Sequence, residues 1–212
     1  MGSSPVVARS VLDRARSGDR DAVGELWRTY QPQLLRFLRS RRSASPDDVA
    51  AQVWLAVGRS LARFEGDGRD FQRWIFTIAR RRDIDEVRRA RHRREYPTNE
   101  VESGESSEVT SADPLDEVSS LDAAIQLVAS LPPQMAEAIM LRVVHDLDVG
   151  AVASIMEVSE GNVRVLVHRG LTKLRATMAE HGPQARTSRL VRRSGSGIHI
   201  AAAMAQENST DL

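Results

Sequence analysis

Residues 148–175 read DVGAVASIMEVSEGNVRVLVHRGLTKLR, and the fold is decided in this stretch. Val149, Val152, Ala153 and Met156 recur at helical spacing, which predicts a short helix with one apolar face. Ser159 offers a hydroxyl to cap a second helix, whose buried stripe is Val163, Leu166, Val167, Leu171 and Leu174. Two helices therefore meet across a tight turn at 157–159. Arg164, His168 and Lys173 fall on the outward side of the second helix, with Arg169 and Arg175 beside them, so a cationic edge faces away from the core. This is the pattern of a helix-turn-helix whose second helix enters the major groove, positioned by phosphate contacts and informed by base edges. An ordinary helical hairpin with a solvated basic face has the same spacing, so the stretch alone leaves both readings open.

Working outward, 121–131 and 133 to about 145 carry two more helices, the second with Met135, Ile139, Met140 and Val143 as its stripe. With the hairpin they form a small helical domain over 121–180. Residues 95–120 hold eight acids and no base, with Pro97, Gly104, Pro114 and a Ser/Glu-rich run that lacks apolar periodicity. Such a segment reads as a flexible acidic linker. Four helices precede it. The first spans 6–16. The second runs from 22 to about 42, with Val23, Leu26, Trp27, Tyr30, Leu34, Leu35, Phe37 and Leu38 as its buried stripe, and Pro32 is expected to kink or break it near the middle. Ser45-Pro46-Asp47-Asp48 announces the third, which continues through Leu61. The fourth starts near Asp70, carries Phe71, Trp74, Ile75, Ile78, Ala79, Ile84 and Val87, and dissolves into the arginine-rich run that follows. Residues 64–69 form the loop before it. The expected fold class is all-α: two small helical domains, 6–94 and 121–180, on a flexible tether, with a disordered tail over 181–212.

The net charge of +1 hides an uneven distribution, because residues 1–94 hold 21 arginines against 12 acids. A basic front half beside an acidic bridge suggests separate partners for each. The absence of cysteine excludes disulfides and cysteine-ligated zinc, and nothing points to export, so a cytoplasmic location is expected. No stretch is long and apolar enough to cross a membrane. His92, His145, His168, His181 and His199 show no ligand spacing, and Gly66-Asp67-Gly68 lacks the strand-to-helix context of a phosphate-cradling loop. No metal, no cofactor and no enzymatic activity are therefore expected. Asp83, Asp85 and Glu86 read as surface partners of arginines on their own helix.

The fourth helix holds a second constellation: Arg73-Trp74, then Arg80-Arg81-Arg82, then Arg88-Arg89. Eight of the nine aromatic residues lie at or before Phe76, so cations and aromatic rings share the first domain. Single-stranded nucleic acid is held by that combination, cations tracking phosphates while unstacked bases find aromatic faces. Trp74 itself sits at core spacing with Phe71 and Ile75 and is expected to be mostly buried.

Taken in order, GDRDAVGELWRTYQPQLLRFLR, PDDVAAQVWLAVGRSLARFEGDGRDFQRWIFTIARRRDIDEVRR, the acidic bridge, and LVASLPPQMAEAIMLRVVHDLDVGAVASIMEVSEGNVRVLVHRGLTKLR resemble the extracytoplasmic-function group of bacterial RNA polymerase sigma factors. The resemblance implies a sigma region 2-like domain that docks on core polymerase and melts and captures the minus-10 element. It also implies a region 4-like helix-turn-helix that reads the minus-35 element. By resemblance, polymerase binding falls to Asp48, Val49, Val53, Trp54 and Leu55, with Gln52 where the family usually has glutamate. Minus-10 binding falls within 64–89, at Arg73, Trp74, Arg80, Arg81, Arg82, Arg88 and Arg89, with Arg81 where several members place asparagine. Minus-35 binding falls to Arg164, Val165, His168, Arg169 and Lys173. The implied partners are core RNA polymerase, through its β′ clamp helices and β flap, promoter DNA, and an anti-sigma factor that covers these same surfaces. The acidic bridge is implied to enter a basic channel near the polymerase active centre. Two rival readings are a free-standing helix-turn-helix regulator that needs no polymerase and an interaction module whose basic face meets an acidic partner.

Overall fold

The computed structural model describes residues 6–95 and 117–180, which are helices joined by short turns, with no strand among the described residues. Helix α1 (Arg9–Arg16) buries Val11, Leu12 and Ala15. It starts later than the expected residue 6, although Val7 before it is also buried. Helix α2 (Arg20–Ser40) starts on Asp19, whose carboxylate accepts from the backbone N–H groups of Asp21 and Ala22 at 2.9 and 3.2 Å. The Ala22 N–H, then the Arg14 guanidinium that also donates to this carboxylate, hold the Asp19 carboxyl below its ordinary pKa.

The expected break at Pro32 is absent, and α2 runs through it as one helix. Proline removes one backbone donor, and next to that gap the side-chain amide of Gln33 donates to the carbonyl of Thr29 at 3.0 Å. Tyr30 and Leu34, on either side of the proline, are buried in the same core, so packing holds both halves in line. Helix α3 (Pro46–Ser60) begins as its sequence signal predicts, with proline in the first turn followed by Asp47 and Asp48.

After a 3₁₀ turn (Leu61–Arg63), helix α4 (Gly68–Glu95) starts two residues earlier than expected. Asp67 accepts from the N–H groups of Arg69 and Asp70 at 2.8 and 3.0 Å and so caps it there. The helix continues through the arginine-rich run to Glu95. A Cβ at position 68 would lie 2.1 Å from the Val7 carbonyl oxygen, so only glycine lets the N-terminal segment cross the start of α4.

Helix α5 (Glu117–Ala129) begins inside the stretch expected as linker. Helix α6 (Pro133–Ile139) passes into a π-helical turn (Met140–Val144). Helices α7 (Val149–Met156) and α8 (Glu160–Glu180) form the helix-turn-helix. Asp148 caps α7 by accepting from Ala151 N–H at 2.7 Å, and Ser159 caps α8 by accepting from Asn162 N–H at 3.2 Å. Between them Glu157 adopts left-handed backbone, φ 59°, which reverses the chain. Gly170 seats α8 on α6, since a Cβ there would come within 2.6 Å of Ile139 Cδ1.

The two helical domains do not stand apart. Helices α2 and α4 lie against α5, α6 and α7, and one hydrophobic core runs from Val7 to Leu174. Residues 96–116 of the expected linker and the tail from 181 lie outside the described residues.

Candidate nucleic-acid interface

Helix α8 presents Arg164, Val165, His168, Arg169 and Lys173 together on one exposed face, while Val163, Leu166, Leu171 and Leu174 point into the core. All five residues expected to read DNA are thus brought together. Arg164 pairs with Glu160 one turn earlier at 2.8 Å, both side chains exposed. Such a pair is held weakly and exchanges readily for a phosphate or a guanine edge. Val165 is the apolar member, 44% exposed amid cations. A branched methyl surface in that position suits the methyl group of thymine.

The expected strand-binding residues of α4 divide into two groups. Arg73, Arg81, Arg88 and Arg89 are exposed, and Arg82 partly so. Arg73 and Arg89 make local pairs with Asp70 and Glu86 at 3.5 and 2.8 Å. Trp74, expected to be mostly buried, is half-buried and stacks on Phe64 with ring centroids 4.9 Å apart. The loop bearing Phe64 is pinned by Arg16, which donates to the Gly66 carbonyl at 2.8 Å. Arg80 differs from its neighbours: it is largely buried, donating to Glu137 at 2.9 Å and to the Met156 carbonyl at 3.0 Å.

Helix α3 also splits the residues assigned to polymerase. Val49 and Val53 are fully buried and hold the helix in place, whereas Asp48 and Leu55 are exposed, Leu55 by 60%. Gln52 and Trp54 lie at the margin, and Trp54 Nε1 donates to Gln31 Oε1 of α2 at 2.7 Å. Val23 and Trp27, placed in the buried stripe by periodicity, are instead exposed, Trp27 by 50%. With Gln31 they share one edge of α2, which the Trp54 hydrogen bond ties to α3.

Sequence reasoning missed the buried charge cluster that links the first domain internally and to the second. Asp83, expected as a surface partner on its own helix, is buried and pairs with Arg41, which follows the last residue of α2, at 2.8 Å. Arg41 also pairs with Glu137 of α6. The available signal was Glu137 itself, an acid inside the apolar run Ala136, Ala138, Ile139, where burial demands a cation. Nearby, Gln72 donates to the His145 carbonyl at 3.1 Å, and the His145 ring lies on Phe76 with centroids 4.4 Å apart. No group of three or more His, Cys, Asp or Glu side chains able to hold a metal occurs among the described residues. No described helix is long and apolar enough to cross a membrane.

This arrangement has counterparts among known proteins. Residues 26–93 match the family described as Sigma-70 region 2, and residues 121–174 match Sigma-70, region 4. The chain is 32% identical over 182 residues to the ECF RNA polymerase sigma factor SigD of Mycobacterium tuberculosis, covering 83% of this chain and 86% of that one. It is 31% identical over 166 residues to the ECF RNA polymerase sigma factor BldN of Streptomyces coelicolor, covering 77% of this chain and 63% of the relative. Among solved structures, the fold is similar to CnrH in its complex with the cytosolic domain of CnrY (TM-score 0.56, 20% identity, 82% of this chain and 99% of that one). It is likewise similar to the sigma factor RpoE of Bartonella quintana in complex with the anti-sigma factor NepR (TM-score 0.55, 19% identity, 76% and 98%).

Proposed function

The chain belongs to the extracytoplasmic-function RNA polymerase sigma factors, and from that premise we propose how its parts divide the work of starting transcription. It binds core RNA polymerase, confers promoter choice on it and helps to open the duplex, without itself catalysing a reaction. The region 4-like domain reads duplex minus-35 DNA through Arg164, Val165, His168, Arg169 and Lys173: the cations engage phosphates and guanine edges, and Val165 covers a thymine methyl. The region 2-like domain captures the minus-10 strand after its bases leave the stack. Arg73, Arg80, Arg81, Arg82, Arg88 and Arg89 follow the backbone, and Trp74 with Phe64 offers a stacked aromatic edge. Asp48, Gln52, Trp54 and Leu55 form the face for the β′ clamp helices, and the helix-turn-helix domain meets the β flap.

The observation that carries this reading is the cationic face of α8, with every expected residue exposed, in the same chain as a second, arginine-lined helix in a separate domain. A free-standing regulator has use for the first and none for the second. An anti-sigma factor is the natural regulatory partner, and the cytoplasm, where polymerase works, is the natural location. A run-off assay tests the proposal: the purified chain is expected to add promoter-specific transcripts to core polymerase. DNA binding with no polymerase-dependent transcript would point instead to a free-standing regulator.

A further inference from the structure

Along α4, Gln72, Phe76, Arg80 and Asp83 succeed one another at helical spacing, and this stripe carries α4's share of the domain contact, beside the packing of α2 on α5 and α6. Gln72 and Phe76 hold His145, Arg80 holds Glu137 and Met156, and Asp83 holds Arg41, whose guanidinium also pairs with Glu137. At the centre is one carboxylate gripped by two guanidinium groups. The Glu137 side chain is only 5% exposed, and both of these cations come from the other domain. Leaving that carboxylate buried without them would be strongly unfavourable, so domain contact and charge pairing form together.

Two arginines converging on one tetrahedral or trigonal anion also make the usual cradle for a phosphodiester. We propose that Arg41 and Arg80 form a binding site for one backbone phosphate of single-stranded promoter DNA, and that Glu137 occupies this site while the domains are docked. Strand capture and docking then exclude each other. The block is selective. Docking leaves Arg73, Arg81, Arg88 and Arg89 exposed on α4 and leaves the reading face of α8 uncovered, so the docked chain withholds one strand-binding site while keeping its duplex-reading surface. A partner that holds the domains apart frees both arginines with no chemical change to either.

This inference takes the identity of the strand from the sigma-factor reading, and its test separates the two. The chain has no cysteine, so dyes attached to Arg59→Cys and Ala176→Cys, both exposed positions in different domains, report docking by energy transfer. Binding of a fluorescein-labelled oligothymidylate is followed in the same protein by anisotropy. Glu137→Gln is expected to lower the transfer efficiency and to tighten oligothymidylate binding about tenfold at low salt, with the log–log salt slope steeper by about 0.7 for one added phosphate. Adding Arg41→Ala or Arg80→Ala to Glu137→Gln is expected to abolish that gain. Glu157→Gln removes a largely exposed carboxylate 3.6 Å from Arg80, without touching the core, and is expected to act in the same direction more weakly. Unchanged oligothymidylate affinity in both variants, or a gain that survives loss of either arginine, would overturn the proposal. Run-off transcription by the wild-type chain alongside that result would leave the sigma-factor reading standing. Absence of transcripts would remove that reading while the anisotropy still reports on the arginine pair.

Discussion

His145 is buried against Phe76, and neither ring nitrogen has a hydrogen-bond partner among the described residues. Burial pushes its pKa from the ordinary 6.5 down to about 3, and the positive charge of Arg36 adds in the same direction. Above about pH 6.5 the ring is neutral folded or unfolded, and it contributes no pH dependence. Below that value the unfolded chain takes up a proton that the folded chain refuses, so stability falls with pH down to about 3, by up to about 1.4 kcal/mol per pH unit. Urea midpoints measured between neutrality and the onset of carboxylate titration are expected to show this slope. His145→Phe, which keeps the ring contact, is expected to flatten it. Arg164 and Arg169 act at the same scale on the outer face of α8. Replacing either with alanine is expected to weaken binding to the upstream promoter element by about 1–3 kcal/mol where the residue makes a bidentate base contact. Footprinting of the polymerase complex checks this, and an unchanged upstream footprint would remove the residue from the readout.

Individual helices serve two sides at once. On α3, Val53 faces the core and Leu55 faces outward, two residues apart. Leu55→Asp is therefore expected to weaken core polymerase binding in a pull-down while leaving the thermal melting temperature unchanged. Val53→Asp is expected to unfold the domain, because a carboxylate is buried there without a partner. On α4 the stripe that meets the second domain and the stripe left exposed are also distinct. Arg81 and Arg82 lie outside the docking stripe, so alanine at both is expected to spare duplex binding and to impair strand opening. Permanganate reactivity of the melted minus-10 bases measures that loss, and full reactivity would place strand capture elsewhere.

Across the whole molecule the two domains share one core and one buried charge cluster. Units coupled in this way unfold together. Calorimetry of the free chain is expected to show a single transition, and Glu137→Gln to separate it into two. Two transitions in the wild-type chain would mean that the domain contact is too weak to couple them. On the proposal above, the same arginine-rich first domain answers to a carboxylate from within or to a phosphate from outside.

The sequence by itself determined what depends on neighbours within a turn or two. The cap at Ser159, the Pro46 helix start, the outward cations of α8 and the order of two helical modules are all of this kind, because helical periodicity and capping are local. Tertiary structure alone decided which apolar face is covered and where each charge finds its partner. Periodicity assigned Trp27 and Val23 to the core, but no neighbouring helix covers that edge of α2. It marked Pro32 as a break that packing on both sides overrides. It placed Asp83 on the surface and Arg80 among its exposed neighbours, whereas Arg80 and Glu137 meet across 57 residues of chain. An ion pair forms where two side chains come within reach, and for segments so far apart that distance exists only once the helices have packed.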